Sequence, residues 1–153
     1  MVDLKANPYY LSDEDCNWVE ETIAGMSDEE KVGQLFFQLT QSHEEEHLKE
    51  LMEKYHLGGC RYNPAPGKAI QEQNRKLQKY AKIPVFIACN TEAGGDGACA
   101  DGTAIGSGVK IGATGKEEYA YALGQMANEE AAALGCNMAF ALVCDIHYNW
   151  ENT

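Results

Sequence analysis

The stretch Ile83-Pro-Val-Phe-Ile-Ala-Cys-Asn-Thr-Glu-Ala-Gly-Gly95 decides how the rest of the chain is read. It is apolar without interruption to Cys89, then turns polar at Asn90-Thr91-Glu92, then becomes glycine-rich. An unbroken apolar strand is the pattern of a parallel sheet covered on both faces. In parallel α/β architectures, ligands bind beyond the carboxyl ends of the strands, which is where these three polar residues fall.

Similar strands recur on either side. Val32–Leu39 and Leu57–Tyr62 precede this one, and Met138–Cys144 follows it, giving four strands in all. Helical patterns separate them. Ser12 before Asp13, Glu14 and Asp15 marks a helix start, with Trp18, Val19, Thr22 and Ile23 on its apolar side and Gly25 at its end. Ser27-Asp-Glu-Glu30 is a capping-box pattern. Ser42-x-x-Glu45 opens a helix carrying Leu48, Leu51, Met52 and Tyr55, and Pro64-Ala-Pro66 opens another that runs to Ala81. A glycine-rich loop over 93–112 leads to Thr114-x-x-Glu117, which caps a long helix with Ala120, Leu123, Ala127, Ala131 and Leu134 on one face.

Strands alternating with helices specify an α/β fold with a parallel sheet and helices outside it. Both a doubly wound sheet and a closed eight-stranded barrel fit that order. The chain has 153 residues. A complete barrel needs about 250, so length by itself favours the doubly wound sheet.

The carboxyl-end rule selects Tyr62-Asn63, Asn90-Thr91-Glu92 and Asp145-Ile-His147 as the places where chemistry would sit. Each also has an ordinary structural alternative: capping a helix, tying down a loop or satisfying a core hydrogen bond. The glycines of Ala93-Gly-Gly-Asp-Gly97 do not match a nucleotide-binding fingerprint, and no G-K-[ST] follows. They suit a backbone that turns tightly at a pocket rim.

Twelve basic residues against twenty-four acidic ones give a net charge of −12, which repels phosphate backbones and anionic lipid heads. Nucleic acid is therefore not expected as a partner. A neutral ligand is compatible with that charge. No apolar run reaches the roughly 18 residues of a membrane helix, and Met1–Pro8 lacks the apolar stretch of a secretory signal, so export is not expected. Six cysteines at 16, 60, 89, 99, 136 and 144 lie without C-x-x-C or zinc spacing. Cys60, Cys89, Cys136 and Cys144 are embedded in apolar sequence and read as buried free thiols, consistent with a cytoplasmic setting. No cofactor or metal is expected.

Several segments in order carry a resemblance. Met26-Ser-Asp-Glu-Glu-Lys-Val-Gly-Gln-Leu-Phe36 is similar to the opening of the glycoside hydrolase family 3 amino-terminal domain. Ile83–Gly95 resembles that family's I-P-x-x-x-x-x-D-x-E-G-G segment. Ile111-Gly-Ala-Thr114 and the run from Ala131 to Asp145 resemble its "LGAT … ALGINMNFAPVLD". The resemblance implies the first half of a (β/α)8 TIM-type barrel with about four parallel strands and outer helices. It also implies a parent enzyme that cleaves β-linked sugars with retention, nearest to the β-N-acetylhexosaminidase branch.

By the same resemblance, Asn90, Glu92 and Asp145 are the substrate-binding candidates and a saccharide is the expected ligand. Asn90 stands where family members usually carry aspartate, and the arginine that often follows the double glycine is absent. The family's Lys-His pair, catalytic histidine and aspartate nucleophile would fall beyond Thr153. A retaining glycosidase needs two carboxyl groups about 5–5.5 Å apart. The chain alone is accordingly expected to be inactive, a single partial domain over 1–153. Glu92 and Asp145, on neighbouring strands, are the one internal pair that could approach each other.

Four βα units also expose strand edges and an apolar inner face, so a homodimer through those edges is a further expectation. Two other classes remain open from the residues alone. One is a stand-alone sugar-binding or scaffold half-barrel. The other is a flavodoxin-like domain that uses the glycine-rich loop for a small ligand.

Overall fold

The computed structural model describes residues 2–141 together with 143, 148, 149 and 151. Helices α1 (Asp13–Ala24) and α2 (Asp28–Gly33) lead into strand β1 (Phe37–Thr40). Then follow α3 (Glu45–Glu53), β2 (Gly59–Tyr62), α4 (Gly67–Tyr80) and β3 (Phe86–Asn90). A short 3-10 turn over Gly95–Gly97 precedes α5 (Gly108–Ala113), α6 (Glu117–Ala133) and β4 (Met138–Phe140).

The four strands are all parallel, and their spatial order is their order in sequence, β1-β2-β3-β4. A doubly wound sheet reverses its strand order near the middle. This one does not, and its helices cover a single face. Alternate residues of a strand face opposite sides, and burial separates the two sides here. Cys60, Tyr62, Ile87 and Cys89 face the helices and are fully enclosed with Leu48, Leu51, Met52, Ile70 and Leu77 from α3 and α4. Each such aliphatic side chain contributes about 1.5–3 kcal/mol by leaving water. The architecture is that of the first half of a (β/α)8 barrel, in which the open face is the barrel interior.

The inner face shows its layers through the strand register. Phe37, Gly59 and Phe86 are level with one another; Leu39, Arg61, Ala88 and Met138 form the next layer; Asn90 and Phe140 lie at the carboxyl ends. The Phe37 ring stacks on Phe86 at 6.3 Å between centroids and meets Phe140 at 5.9 Å. It lies directly over Gly59, where a Cβ would stand 2.1 Å from the ring. Phe37 and Phe86 nevertheless remain 42% and 56% exposed. The strand expected to be covered on both faces is thus covered on one.

Element boundaries differ from the sequence reading in ways local chemistry explains. The capping box at Ser27 forms in full, with Ser27 N donating to Glu30 at 2.8 Å and Glu30 N donating to Ser27 at 3.2 Å. That box nucleates α2 through Gly33, so the expected strand over Val32–Leu39 is helix and connector until Phe37. The box at Ser12 and the stop at Gly25 form as expected. The apolar side of α1 does not find cover: only Cys16 is buried, and Trp18 is 55% exposed.

Ser42 does not cap α3 in box fashion. It accepts from Glu44 N, and Glu45 instead reaches across to Lys76 and Tyr80 of α4. Thr114 closes α5 by donating to Ile111 O at 2.6 Å rather than capping α6, whose N-cap is Lys116. The residues from Gly108, read as the end of a loop, are helical. Ala127 and Ala131 bury α6 as its periodicity predicts, whereas Ala120 remains exposed. Cys16, Cys60, Cys89, Cys99 and Cys136 are free thiols, and all but the half-buried Cys136 are buried. Cys144 lies outside the described residues. Among the described residues, no helix is long and apolar enough to cross a membrane.

Candidate functional site

At the carboxyl ends of β2 and β3 three polar side chains join in a line. Arg61 Nε donates to Asn90 Oδ1 at 2.8 Å, and Asn90 Nδ2 donates to Glu92 Oε1 at 2.9 Å. The register explains the first contact. Arg61 pairs with Ala88 and, with Asn90 two residues on, shares the inner face of the sheet. Ala88 and Gly59 are small, so the long arginine stem has room to lie along β3. The carbonyl of Arg61 is held separately by the buried Thr40 hydroxyl at 3.0 Å, which ties β1 to β2 beneath the site.

Asn90 is therefore engaged at both ends of its amide. Its carbonyl oxygen accepts from a cation and its NH2 donates to a carboxylate. An aspartate could accept from Arg61 but could not donate to Glu92. Among the described residues the terminal NH2 groups of the Arg61 guanidinium have no partner, and the Glu92 carboxylate is exposed. One supplies donors and the other acceptors, a combination that suits hydroxyl groups, which do both.

The glycine-rich loop closes against this site. Gly97 packs so tightly on the Asn90 carbonyl that a Cβ there would stand 1.6 Å from the oxygen. Gly94, at φ +141°, turns the chain so that an isolated bridge forms to Ala104. Helix α6 fastens the loop: Glu130 accepts from Thr103 N at 2.9 Å and from the Thr103 hydroxyl at 2.5 Å. Both bonds hold the Glu130 carboxyl below its ordinary range. Asp101 fastens the other side by accepting from Gly67 N, at the start of α4, at 2.7 Å. The loop is thus packed on the Asn90 carbonyl and tied to both α4 and α6.

The other sequence candidates divide. Tyr62 faces the helices, not the mouth. Its hydroxyl donates to Ala98 O at 3.0 Å and lies 2.9 Å from the Cys136 sulfur, so its role is in the core. Thr91 is buried. Asp145 and His147 lie outside the described residues, as does any approach of Asp145 to Glu92. Arg61 was not among the sequence candidates. Its signal is a charged residue two positions after Gly59, on the strand face that elsewhere carries Phe37, Leu39 and Phe86.

A thiol cluster lies behind the site. Hydrogen bonds from Cys89 and Asn74 bring the Cys136 thiol down to about 7, while burial pushes Cys60 up to about 12. Among the described residues no cluster of three or more His, Cys, Asp or Glu side chains could hold a metal ion. A groove of about 790 Å³ lies elsewhere, between α2 and α3, and is lined by Val32, Phe36, Leu51 and Tyr55.

Comparison with known proteins agrees with this geometry. The model of the glycosyl hydrolase family 3 N-terminal domain matches residues 27–153. A β-N-acetylglucosaminidase/β-glucosidase of Cellulomonas fimi is 34% identical over 152 residues, covering 99% of this chain and 27% of that protein. A solved β-glucoside phosphorylase, BglX, bound to 2FGlc superposes with a TM-score of 0.87 at 36% identity, covering 95% of this chain and 27% of the other. A second BglX structure gives a TM-score of 0.85 at the same identity. The chain spans about a quarter of the length of these relatives. With the parallel half-barrel and its polar mouth, these matches mean that the chain belongs to glycosyl hydrolase family 3, within that family's N-terminal domain.

Proposed function

We propose that this chain is the amino-terminal half of a family 3 catalytic barrel, a single partial domain over 1–153, and that it supplies part of the wall binding a β-linked glucoside or N-acetylglucosaminide. The observation that carries this reading is the Arg61–Asn90–Glu92 line at the carboxyl ends of the strands, where barrel enzymes bind their ligands. The names of the relatives supply the sugar class: one is a β-N-acetylglucosaminidase/β-glucosidase and another a β-glucoside phosphorylase. In this reading the chain binds and orients sugar, and the nucleophile and acid/base come from outside residues 1–153. By itself it turns over no glycoside. The proposed setting is cytoplasmic, which the free thiols support.

The test is an assay of the complete gene product on chromogenic β-glucosides and N-acetyl-β-glucosaminides, with and without inorganic phosphate. Turnover in either buffer supports the reading, and acceleration by phosphate selects phosphorolysis over hydrolysis. No turnover and no saccharide binding would overturn it.

A second reading rests on the open inner face. Phe37, Phe86 and Phe140 form one aromatic surface exposed to solvent in the isolated chain. A stand-alone sugar-binding half-barrel would cover it by pairing with a second copy through the strand edges. Light scattering on the chain alone distinguishes a dimer from a monomer.

A further inference from the structure

We infer that Arg61, with Glu92, is the side-chain pair that reads a hydroxyl of the bound sugar, and that Asn90 is a positioning residue between them; this rests on the saccharide-site reading above. The sequence resemblance points to Asn90 as the direct sugar contact. In the structure its amide is the joint between the other two side chains, accepting from Arg61 at one end and donating to Glu92 at the other.

What Asn90 takes from Arg61 is the single Nε–H. Among the described residues both terminal NH2 groups of the guanidinium have no hydrogen-bond partner, and they form a fixed planar fork. Asn90 fixes where that fork lies, and Thr40 fixes the strand that carries it. On the far side, Glu92 is exposed and accepts only from Asn90 among the described residues, so it retains acceptor capacity. A donor fork and a carboxylate together match the hydroxyl edge of a sugar, which both accepts and donates.

Asn90, as a neutral amide, leaves the Arg61 charge uncompensated by its hydrogen-bond partner. A hydrogen bond from that guanidinium to a sugar hydroxyl is accordingly a charge-assisted one, the stronger class.

The test is a cycle between protein and ligand on the complete gene product. Binding of methyl β-D-glucoside and its monodeoxy analogues is measured by titration calorimetry to the native protein and to Arg61→Met, with Arg61→Lys as a charge-preserving control. The folded state of each variant is checked by circular dichroism. Arg61→Met is expected to weaken glucoside binding by roughly ten- to a hundredfold. One monodeoxy sugar should bind the native protein more weakly by a similar factor and lose nothing further with Arg61→Met. Arg61→Lys should recover only part of the loss. If every deoxy analogue loses the same factor in both proteins, Arg61 reads no hydroxyl and this inference falls while the saccharide site stands. If the native protein binds no saccharide, the site reading falls and takes this inference with it. Tight binding of inorganic phosphate that excludes glucoside and is lost with Arg61→Met would also overturn it, by making Arg61 an oxyanion contact.

Discussion

Arg61 Nε and Asn90 Oδ1 are 2.8 Å apart, across two neighbouring strands at the mouth of the half-barrel. Because Asn90 also donates to Glu92, its amide is the joint between a cation and a carboxylate. Asn90→Asp keeps the first bond and destroys the second, since a carboxylate cannot donate. Glu92→Gln supplies an amide that can donate to the new carboxylate. Urea melts should therefore show the double variant Asn90→Asp with Glu92→Gln to be more stable than Asn90→Asp alone, by about 0.5–1.5 kcal/mol. Equal stability of the single and double variants would mean that positions 90 and 92 do not interact.

Gly97 and Gly59 make a contrast. A Cβ at Gly97 meets the Asn90 carbonyl at 1.6 Å, backbone against backbone, and nothing there can yield cheaply. Gly97→Ala should cost about 2–4 kcal/mol, in the range of severe overpacking, and weaken sugar binding by moving Asn90. The atoms nearest to a Cβ at Gly59 belong to the Phe37 ring, which is exposed and can swing aside. Gly59→Ala should cost less than about 1.5 kcal/mol. Thermal melts of both variants decide whether the backbone approach or the ring contact is the stricter constraint.

The rim loop should loosen in acid. Glu130 is held below its ordinary value of 4.5 by the Thr103 hydroxyl and N–H. A carboxyl whose folded value is depressed contributes stability above its unfolded value and loses it as pH falls through the folded one. Amide exchange at Thr103 should be slow above 4.5, accelerate below it, and be fast at all pH values in Glu130→Gln. Exchange at Thr103 that ignores Glu130→Gln would contradict this fastening.

Among the described cysteines, Cys136 should be the one that alkylates near neutrality. It is half-buried, and the hydrogen bond from Cys89 does most to bring it to about 7. Cys89→Ala removes that donor, so the midpoint of its iodoacetamide reactivity should move up. Cys60, fully enclosed and pushed up to about 12, should react only on unfolding. Peptide mass spectrometry against pH reads both.

Core truncation gives a further check on the helical layer. Ile70 and Leu77 of α4 are completely buried against the sheet. Leu77→Ala should cost about 2–5 kcal/mol, and a smaller loss would mean that α4 does not pack as described.

Most of the fold is legible in the residues because apolar strands and helical spacing repeat four times. The fourth-strand start at Met138 coincides with the structure, and the other strands are present but shorter than their apolar runs. For β1 the excess has a cause: Val32 and Gly33 are claimed by a helix nucleated at Ser27, and its exit through Gln34–Phe36 delays the strand to Phe37. The sequence reading weighs a doubly wound sheet against a barrel, and strand order distinguishes them only in three dimensions. At the site, Asn90 and Glu92 are visible as polar residues after a strand. Arg61 is hidden because it lies within its strand, and only the register shows that it shares a face with Asn90.

The most direct test of the account is a crystal structure of the complete gene product with a bound β-glucoside or N-acetyl-β-glucosaminide. The account predicts sugar oxygens about 3 Å from the terminal nitrogens of Arg61 and from Glu92, with the Asn90 amide still bridging the two. A sugar seated elsewhere, leaving Arg61, Asn90 and Glu92 untouched, would contradict it.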